Sequence, residues 1–257
     1  FKNSFHGRTS AAVAATDNPK IVAPINAQQE VEFLELGDLD GVKNTLKNGD
    51  VCAVILETIQ GIGGLDEVDT AFFQGLEKLC KKHNTLLIAD EIQSGFGRTG
   101  DFFAFQKHGV SPDIISMAKG MGNGFPIGGI LIHSKIKASY GLLGTTFGGN
   151  HLACAASLSV LDVLKEEQLL ENAQKISKYF IEKAEELPKL KAIKGRGLMI
   201  GLEFDFPIAE LRKTLIHKHH IFTGSAKNSN LLRILPPLTI QKSHVDAFVE
   251  ALKSELK

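Results

Sequence analysis

The chain has 257 residues, enough for one large domain and a smaller second one. Its 29 basic and 29 acidic residues cancel, so charge gives no reason to expect binding to nucleic acid or to a membrane surface. No apolar run approaches the roughly 20 residues that a membrane span needs. The three cysteines, Cys52, Cys80 and Cys154, form no CxxC pair, which favours reduced thiols and a cytoplasmic location. Phe1 falls within an apparent strand-to-loop segment, and we expect the chain to be the C-terminal part of a longer protein.

Apolar runs and helical patterns alternate along the first 160 residues. A helix is predicted from Thr70 to Lys82, where apolar residues recur at helical spacing. Strands are predicted at 51–56, 85–89, 114–117 and 130–132. This alternation predicts an α/β domain with a mostly parallel central sheet flanked by helices.

The pattern changes in the last hundred residues. Helices are predicted at 151–165, 168–187, 208–219 and 243–256, and strands at 199–204 and 231–235. Gly195 to Gly197 is taken to mark the entry to the first strand of this part. We therefore expect a large domain at 1–160 and a small α+β domain at 161–257.

Two charged residues follow buried strands. Asp90 ends the run Leu86-Leu87-Ile88-Ala89, and Lys119 follows Ile114–Met117 and precedes a glycine-rich loop. They are 29 residues apart, about one strand-helix-strand crossover, so both should emerge at the same edge of a parallel sheet. A lysine that can form an imine and an acid for a ring nitrogen are the pair that pyridoxal phosphate chemistry needs.

Two other motifs are weaker. Gly95 to Gly100 is formally a GxGxxG, which leaves a nicotinamide-binding dehydrogenase as an alternative. However, it starts five residues after the strand and no helical pattern follows it directly. The run His217-Lys218-His219-His220 has no carboxylate or cysteine at ligand spacing, and basic residues are favoured at a helix C-terminus, so no metal site is expected.

Four segments together resemble the class III (subgroup II) pyridoxal-phosphate aminotransferases. They are Leu56–Gly61, 88–100, 118–129 and 144–150. The nearest resemblance is to the acetylornithine aminotransferases, including their succinylornithine-using relatives, and it runs from residue 1 to about 240. It implies the fold type I of pyridoxal-phosphate transferases, that cofactor, and a homodimer with shared active sites.

The resemblance also implies roles for residues around the cofactor. Lys119 matches the Schiff-base lysine and Asp90 the partner of the pyridinium nitrogen. Gln93 matches the side chain near the ring hydroxyl, and Phe5 the aromatic ring stacked on the cofactor. Thr146 matches a hydroxyl that donates to the cofactor phosphate of the neighbouring subunit.

Three further residues match substrate-binding positions. Arg8 and Arg233 match arginines that bind substrate carboxylates, Arg233 that of the α-carboxylate. Glu57 matches an acidic residue that lines the site. A structural salt bridge is the alternative for Arg233, and a core position is the alternative for Phe5.

The chain departs from the family pattern twice. Ile62 stands where many relatives carry a glutamate that can neutralise an arginine, which makes ornithine δ-aminotransferase less favoured. The family's N-terminal segment, with its phosphate-binding loop at a helix N-terminus, is also not matched in this sequence.

The expected reaction is transamination in arginine (or lysine) biosynthesis. An N-acylated ornithine would give its δ-amino group, and 2-oxoglutarate would take it and leave as glutamate. The alternatives are another ω-aminotransferase, acting on ornithine, 4-aminobutyrate or a diamine, and a truncated chain without catalytic activity.

Overall fold

The computed structural model describes residues 1–142 and 144–256. Its first sheet has four strands in the order β1-β2-β3-β4. Their bounds are Ala53–Glu57, Leu86–Asp90, Ile114–Met117 and Gly129–Ile132. β1, β2 and β3 are parallel, and β4 runs antiparallel to β3. The expectation of a mostly parallel sheet is therefore confirmed, with the antiparallel strand at one edge.

Three helices accompany this sheet: α1 (Ser10–Ala14), α2 (Leu39–Leu46) and α3 (Thr70–Lys82). α3 has the predicted bounds, and its apolar stripe is buried in the core of the large domain. Asp69 caps its N-terminus: the carboxylate accepts the backbone N–H of Phe72 and so satisfies one free donor of the first turn.

The link between β2 and β3 differs from the predicted crossover. It contains no α-helix, only a short 3₁₀ turn at Ala104–His108. The loop is ordered instead around Glu91, a fully buried carboxylate that accepts the backbone N–H groups of Ala104 and Phe105 and the hydroxyls of Thr58 and Ser94. Packed aromatic rings complete this link: Phe96, Phe102, Phe103 and Phe105.

The remaining helices and strands form the C-terminal part. They are α4 (His151–Glu166), α5 (Leu169–Ala184), β5 (Leu190–Arg196), β6 (Met199–Phe204), α6 (Ala209–His219), β7 (Gly224–Ser225), β8 (Leu231–Ile234) and α7 (Lys242–Glu255). The strands form a second, antiparallel sheet in the order β5-β6-β8-β7. Gly195 lies at the end of β5, so the first strand of this part starts earlier than predicted. This strand was not predicted from the sequence because the polar residues of β5 interrupt its apolar pattern.

Two buried apolar clusters correspond to the two sheets. The first includes Leu164 and Leu169, and the second begins in the chain at Ala173. The packing therefore changes within α5. The domain boundary near residue 160 stays a prediction. None of the helices in residues 1–142 and 144–256 is both long and apolar enough to cross a membrane.

The two parts are joined at the loop 95–100, which contains the GxGxxG. Arg98 donates from Nη1 to the carbonyl oxygens of Leu198, at 3.2 Å, and Pro236. Burial lowers the pKa of Arg98 to about 10. The glycine-containing loop thus forms a contact between the two parts. It does not lead into a helix, as a dinucleotide fingerprint would require.

We predict that Gly197→Ala weakens this junction. A Cβ at Gly197 would lie 2.4 Å from the carbonyl carbon of Thr99, and its φ of +60° disfavours any side chain. Gly49 also has a positive φ (+74°), but a Cβ at that position would meet nothing within 4 Å, so Gly49→Ala is the matched control. Urea unfolding should show Gly197→Ala to be less stable than the control by about 1–3 kcal/mol. Equal stabilities would contradict a close contact at this position.

Candidate active site

Three charged side chains meet at the carboxyl edge of the first sheet. Glu57 is the last residue of β1 and Asp90 the last residue of β2, and the two are paired in register. Ser116 of β3 pairs with Asp90, and Lys119 follows the end of that strand. Because the three strands are parallel and adjacent, residues distant in sequence reach one edge of the sheet.

Asp90 is only 4% exposed and is held on both oxygens. Its Oδ1 accepts the backbone N–H of Ile92 and the hydroxyl of Ser116, both at 3.1 Å. Its Oδ2 lies 2.7 Å from Nδ1 of His6, whose side chain is buried. These contacts fix the orientation of the carboxylate in a buried place.

His6 and Ser116 were not identified from the sequence. Ser116 could have been found from its register opposite Asp90, once β2 and β3 are aligned. His6 joins the site from a segment without strand or helix periodicity, so no pattern indicated it. Its Nε2 is buried and has no hydrogen-bond partner within the described residues.

Lys119 occupies a strained backbone conformation. Its φ is +48°, in the left-handed region, and it begins a short 3₁₀ turn that ends at Met121. The side chain is open to solvent, yet partial desolvation lowers the pKa of its amine. The carboxylates of Asp90 and Glu57 raise this pKa and Arg233 lowers it, so these charges all act on one amine.

Glu57 is 4% exposed, and burial raises the pKa of its carboxyl. One oxygen accepts the backbone N–H of Phe5 at 2.8 Å, and the other that of Gly61 at 2.9 Å. The segment that carries Phe5 and His6 is therefore tied to the ends of both β1 and β2.

Arg233 reaches the same region from β8 of the second sheet. Its Nη1 donates to the carbonyl oxygen of Gly61 at 2.7 Å, and Oε1 of Gln93 lies 3.5 Å away. Desolvation lowers the pKa of the guanidinium. No carboxylate in the described ranges forms an ion pair with it, so the alternative of a structural salt bridge finds no partner there.

Two predicted site residues stand apart from this cluster. Arg8 is exposed just before α1, and it makes no side-chain hydrogen bond within residues 1–142 and 144–256. Thr146 is exposed in the segment before α4. The structure thus brings Phe5, Glu57, Asp90, Gln93, Lys119 and Arg233 together, whereas the roles of Arg8 and Thr146 stay predictions.

The chemistry of these groups fits a pyridine aldehyde. Lys119 offers a reachable amine of lowered pKa, and Asp90 offers a buried anion for a protonated ring nitrogen. Pyridoxal phosphate therefore suits the residues that are present. A cavity of about 830 Å³ reaches Asp90, His6 and Ser116, but its other walls come from the segment 29–34, α2 and the start of β1, and neither Lys119 nor Arg233 lines it. Within the described residues, no group of three or more His, Cys, Asp or Glu could hold a metal ion.

The fold and this cluster define an α/β protein with a lysine-carboxylate crevice. A family model described as "Aminotransferase class-III" matches residues 1–256. The chain belongs to this family.

The chain is similar over its whole length to named relatives. It is 40% identical to the acetylornithine aminotransferase of Aquifex aeolicus, covering 100% of this chain and 67% of that protein. It is 39% identical to the acetylornithine aminotransferase of Methanocaldococcus jannaschii, covering 97% and 64%. The chain thus spans about two thirds of the length of these relatives.

Solved structures show the same fold. The ornithine aminotransferase of Toxoplasma gondii matches with a TM-score of 0.91 at 28% identity, covering 99% of this chain and 63% of that one. The acetylornithine aminotransferase of Elizabethkingia anophelis matches with a TM-score of 0.76 at 29% identity, covering 87% and 59%. The expectation of fold type I is confirmed.

We predict that the amine of Lys119 titrates below the ordinary lysine value of about 10.4. Desolvation disfavours the charged form, so more of the nucleophilic neutral amine exists at any given pH. Lysines dimethylated with ¹³C-formaldehyde can be titrated by NMR, and the Lys119→Arg variant assigns the Lys119 signal. A midpoint at or above that of the other lysines would contradict the desolvated position.

Proposed function

We propose that the chain carries out pyridoxal-phosphate-dependent transamination of an N-acylated ornithine. N-acetylornithine or N-succinylornithine gives its δ-amino group and leaves as the N-acyl glutamate semialdehyde. 2-Oxoglutarate takes the amine and leaves as glutamate. The observation that carries the proposal is that Asp90 and Lys119 lie at the ends of adjacent strands, and that Arg233 of the second sheet reaches Gly61 just after β1. The similarity to acetylornithine aminotransferases supports this choice of donor.

In this proposal, different residues of the chain have different roles in the reaction. When bound, pyridoxal phosphate would supply an aldehyde for the amine and a ring that withdraws electrons. Lys119 would move a proton at its Nζ, where partial desolvation lowers the pKa and so favours the neutral amine. Asp90 would hold a proton on the ring nitrogen, and His6 and Ser116 orient its carboxylate.

Substrate recognition depends on the two arginines. The planar guanidinium of Arg233 can bind a carboxylate with two parallel hydrogen bonds, and Arg8 would hold a second one. Phe5 would stack on the ring, and Gln93 would contact its hydroxyl. Each of these roles is carried over from the family pattern and supported by the proximity of Phe5, Gln93 and Arg233 to the cluster.

We also propose a homodimer in the cytoplasm. The exposed Thr146 would donate to the cofactor phosphate of a second copy, so each site would use residues of both copies. The three cysteines are unpaired, as is usual in a reducing compartment.

Turnover assays test the proposed reaction. The chain, with pyridoxal phosphate and 2-oxoglutarate, should form glutamate fastest from N-acetylornithine or N-succinylornithine, and more slowly from ornithine, 4-aminobutyrate or a diamine. A faster rate with one of the latter three would favour another ω-aminotransferase. No glutamate from any donor would favour a chain without catalytic activity on its own.

Two variants test the assigned residues in the same assay. Lys119→Ala should abolish turnover, because it removes the amine that reacts with the cofactor and carries the proton. Asp90→Ala should keep the fold, as judged by circular dichroism, but lose at least about a hundredfold in rate, because the ring nitrogen loses its anion. Near-normal turnover in Lys119→Ala would contradict the proposed role of this lysine in the reaction.

A further inference from the structure

The carboxylate of Glu57 links two parts of the site that are far apart in sequence. Its two oxygens accept the backbone N–H groups of Phe5 and Gly61, at 2.8 and 2.9 Å. We propose that Glu57 is a positioning residue that sets Arg233 through Gly61, and that it does not touch the substrate. The inference rests on the proposed function, because it concerns how the same site holds a substrate carboxylate.

Gly61 connects Glu57 to the guanidinium of Arg233. Its N–H is held by Glu57, and its carbonyl oxygen accepts Nη1 of Arg233 at 2.7 Å. The next carbonyl, that of Ile62, accepts the backbone N–H of Lys227 at 2.9 Å. This turn is therefore fixed from the first sheet on one side and from the second part of the chain on the other.

Gln93 packs closely against Gly61. A Cβ at position 61 would lie 2.4 Å from Nε2 of Gln93, so the amide rests directly against this glycine. Its Oε1 is the second acceptor near Arg233. Both acceptors are neutral, and Nε of Arg233 is buried without a partner in the described residues. The guanidinium is thus oriented by two neutral oxygen acceptors, and its charge stays available for a carboxylate.

The environment of Glu57 argues against direct contact with substrate. The side chain is 4% exposed, and each oxygen is engaged by an N–H group. A substrate carboxylate beside it would also be repelled. The two possible roles therefore predict opposite effects when the charge is removed, which makes them separable by binding measurements.

Glu57→Gln keeps the size of the side chain but turns one acceptor into a donor. An NH₂ group would then face the N–H of either Phe5 or Gly61, and one of the two links would break. If Glu57 positions Arg233, affinity for a dicarboxylate should fall. If Glu57 instead lined the substrate site, loss of its negative charge should raise that affinity.

The experiment is calorimetric titration of the full chain with glutarate, a dicarboxylate that cannot react. We expect Glu57→Gln to weaken binding about tenfold, the effect of losing one ordinary hydrogen bond. Arg233→Lys should weaken it at least as much. The double variant should bind no more weakly than Arg233→Lys alone, because Glu57 acts through Arg233.

Glu91→Gln is the matched control. Glu91 is also a buried carboxylate that accepts two backbone N–H groups, together with the hydroxyls of Thr58 and Ser94, but it makes no hydrogen bond to Gly61 or Phe5. Its variant should bind glutarate as the unchanged chain does. Tighter or unchanged binding in Glu57→Gln, additive losses in the double variant, or an equal loss in Glu91→Gln would each overturn the inference. If the unchanged chain binds no glutarate, the proposed function itself fails, and the inference with it.

Discussion

The in-register parallel pairing of β1, β2 and β3 is the constraint on which the rest of the structure depends. It sets Glu57 beside Asp90, and Asp90 beside Ser116, although these residues are separated by 26 to 59 positions in the sequence. Lys119 then follows directly from the end of β3. A slip of one residue in any pair would turn these side chains to the opposite face of the sheet. The apolar cluster packed against these strands therefore helps to fix the positions of the site residues as well as the fold.

Two buried carboxylates lie side by side at this edge, and their surroundings give them different tasks. Asp90 receives two donors on one oxygen and has a histidine nitrogen beside the other. Glu57 is engaged by the backbone on both oxygens. The first arrangement suits an anion that serves a bound ring, and the second suits a structural link. Arg233 donates to neutral acceptors, and in the proposed function its charge would bind a substrate carboxylate. Residues of similar chemistry are thus distinguished by their hydrogen-bond partners.

Much of this could be predicted from the sequence. The strands at 114–117 and 199–204 and the helix at 70–82 have the predicted bounds, because their apolar spacing is strong and they are buried on one face or both. The pair Lys119 and Asp90 was visible because charged residues at the ends of apolar runs stand out. β5 was missed because its polar residues break the alternation, and α2 because it has only two turns. His6 could not be found, since its place beside Asp90 is set by a contact across 84 residues and by no local pattern. The same is true of the backbone links of Glu57.

The most direct test is a visible absorption spectrum of the purified chain incubated with pyridoxal phosphate, beside Lys119→Ala. The amine of Lys119, whose pKa is lowered by partial desolvation, should give a protein-bound cofactor band that is absent in the variant. This difference is expected even if no turnover is detected. A band of equal intensity in both proteins would mean that another lysine binds the cofactor. No band in either would mean that the residues meeting at this sheet edge do not hold pyridoxal phosphate in this chain, which would contradict the cofactor site proposed for it.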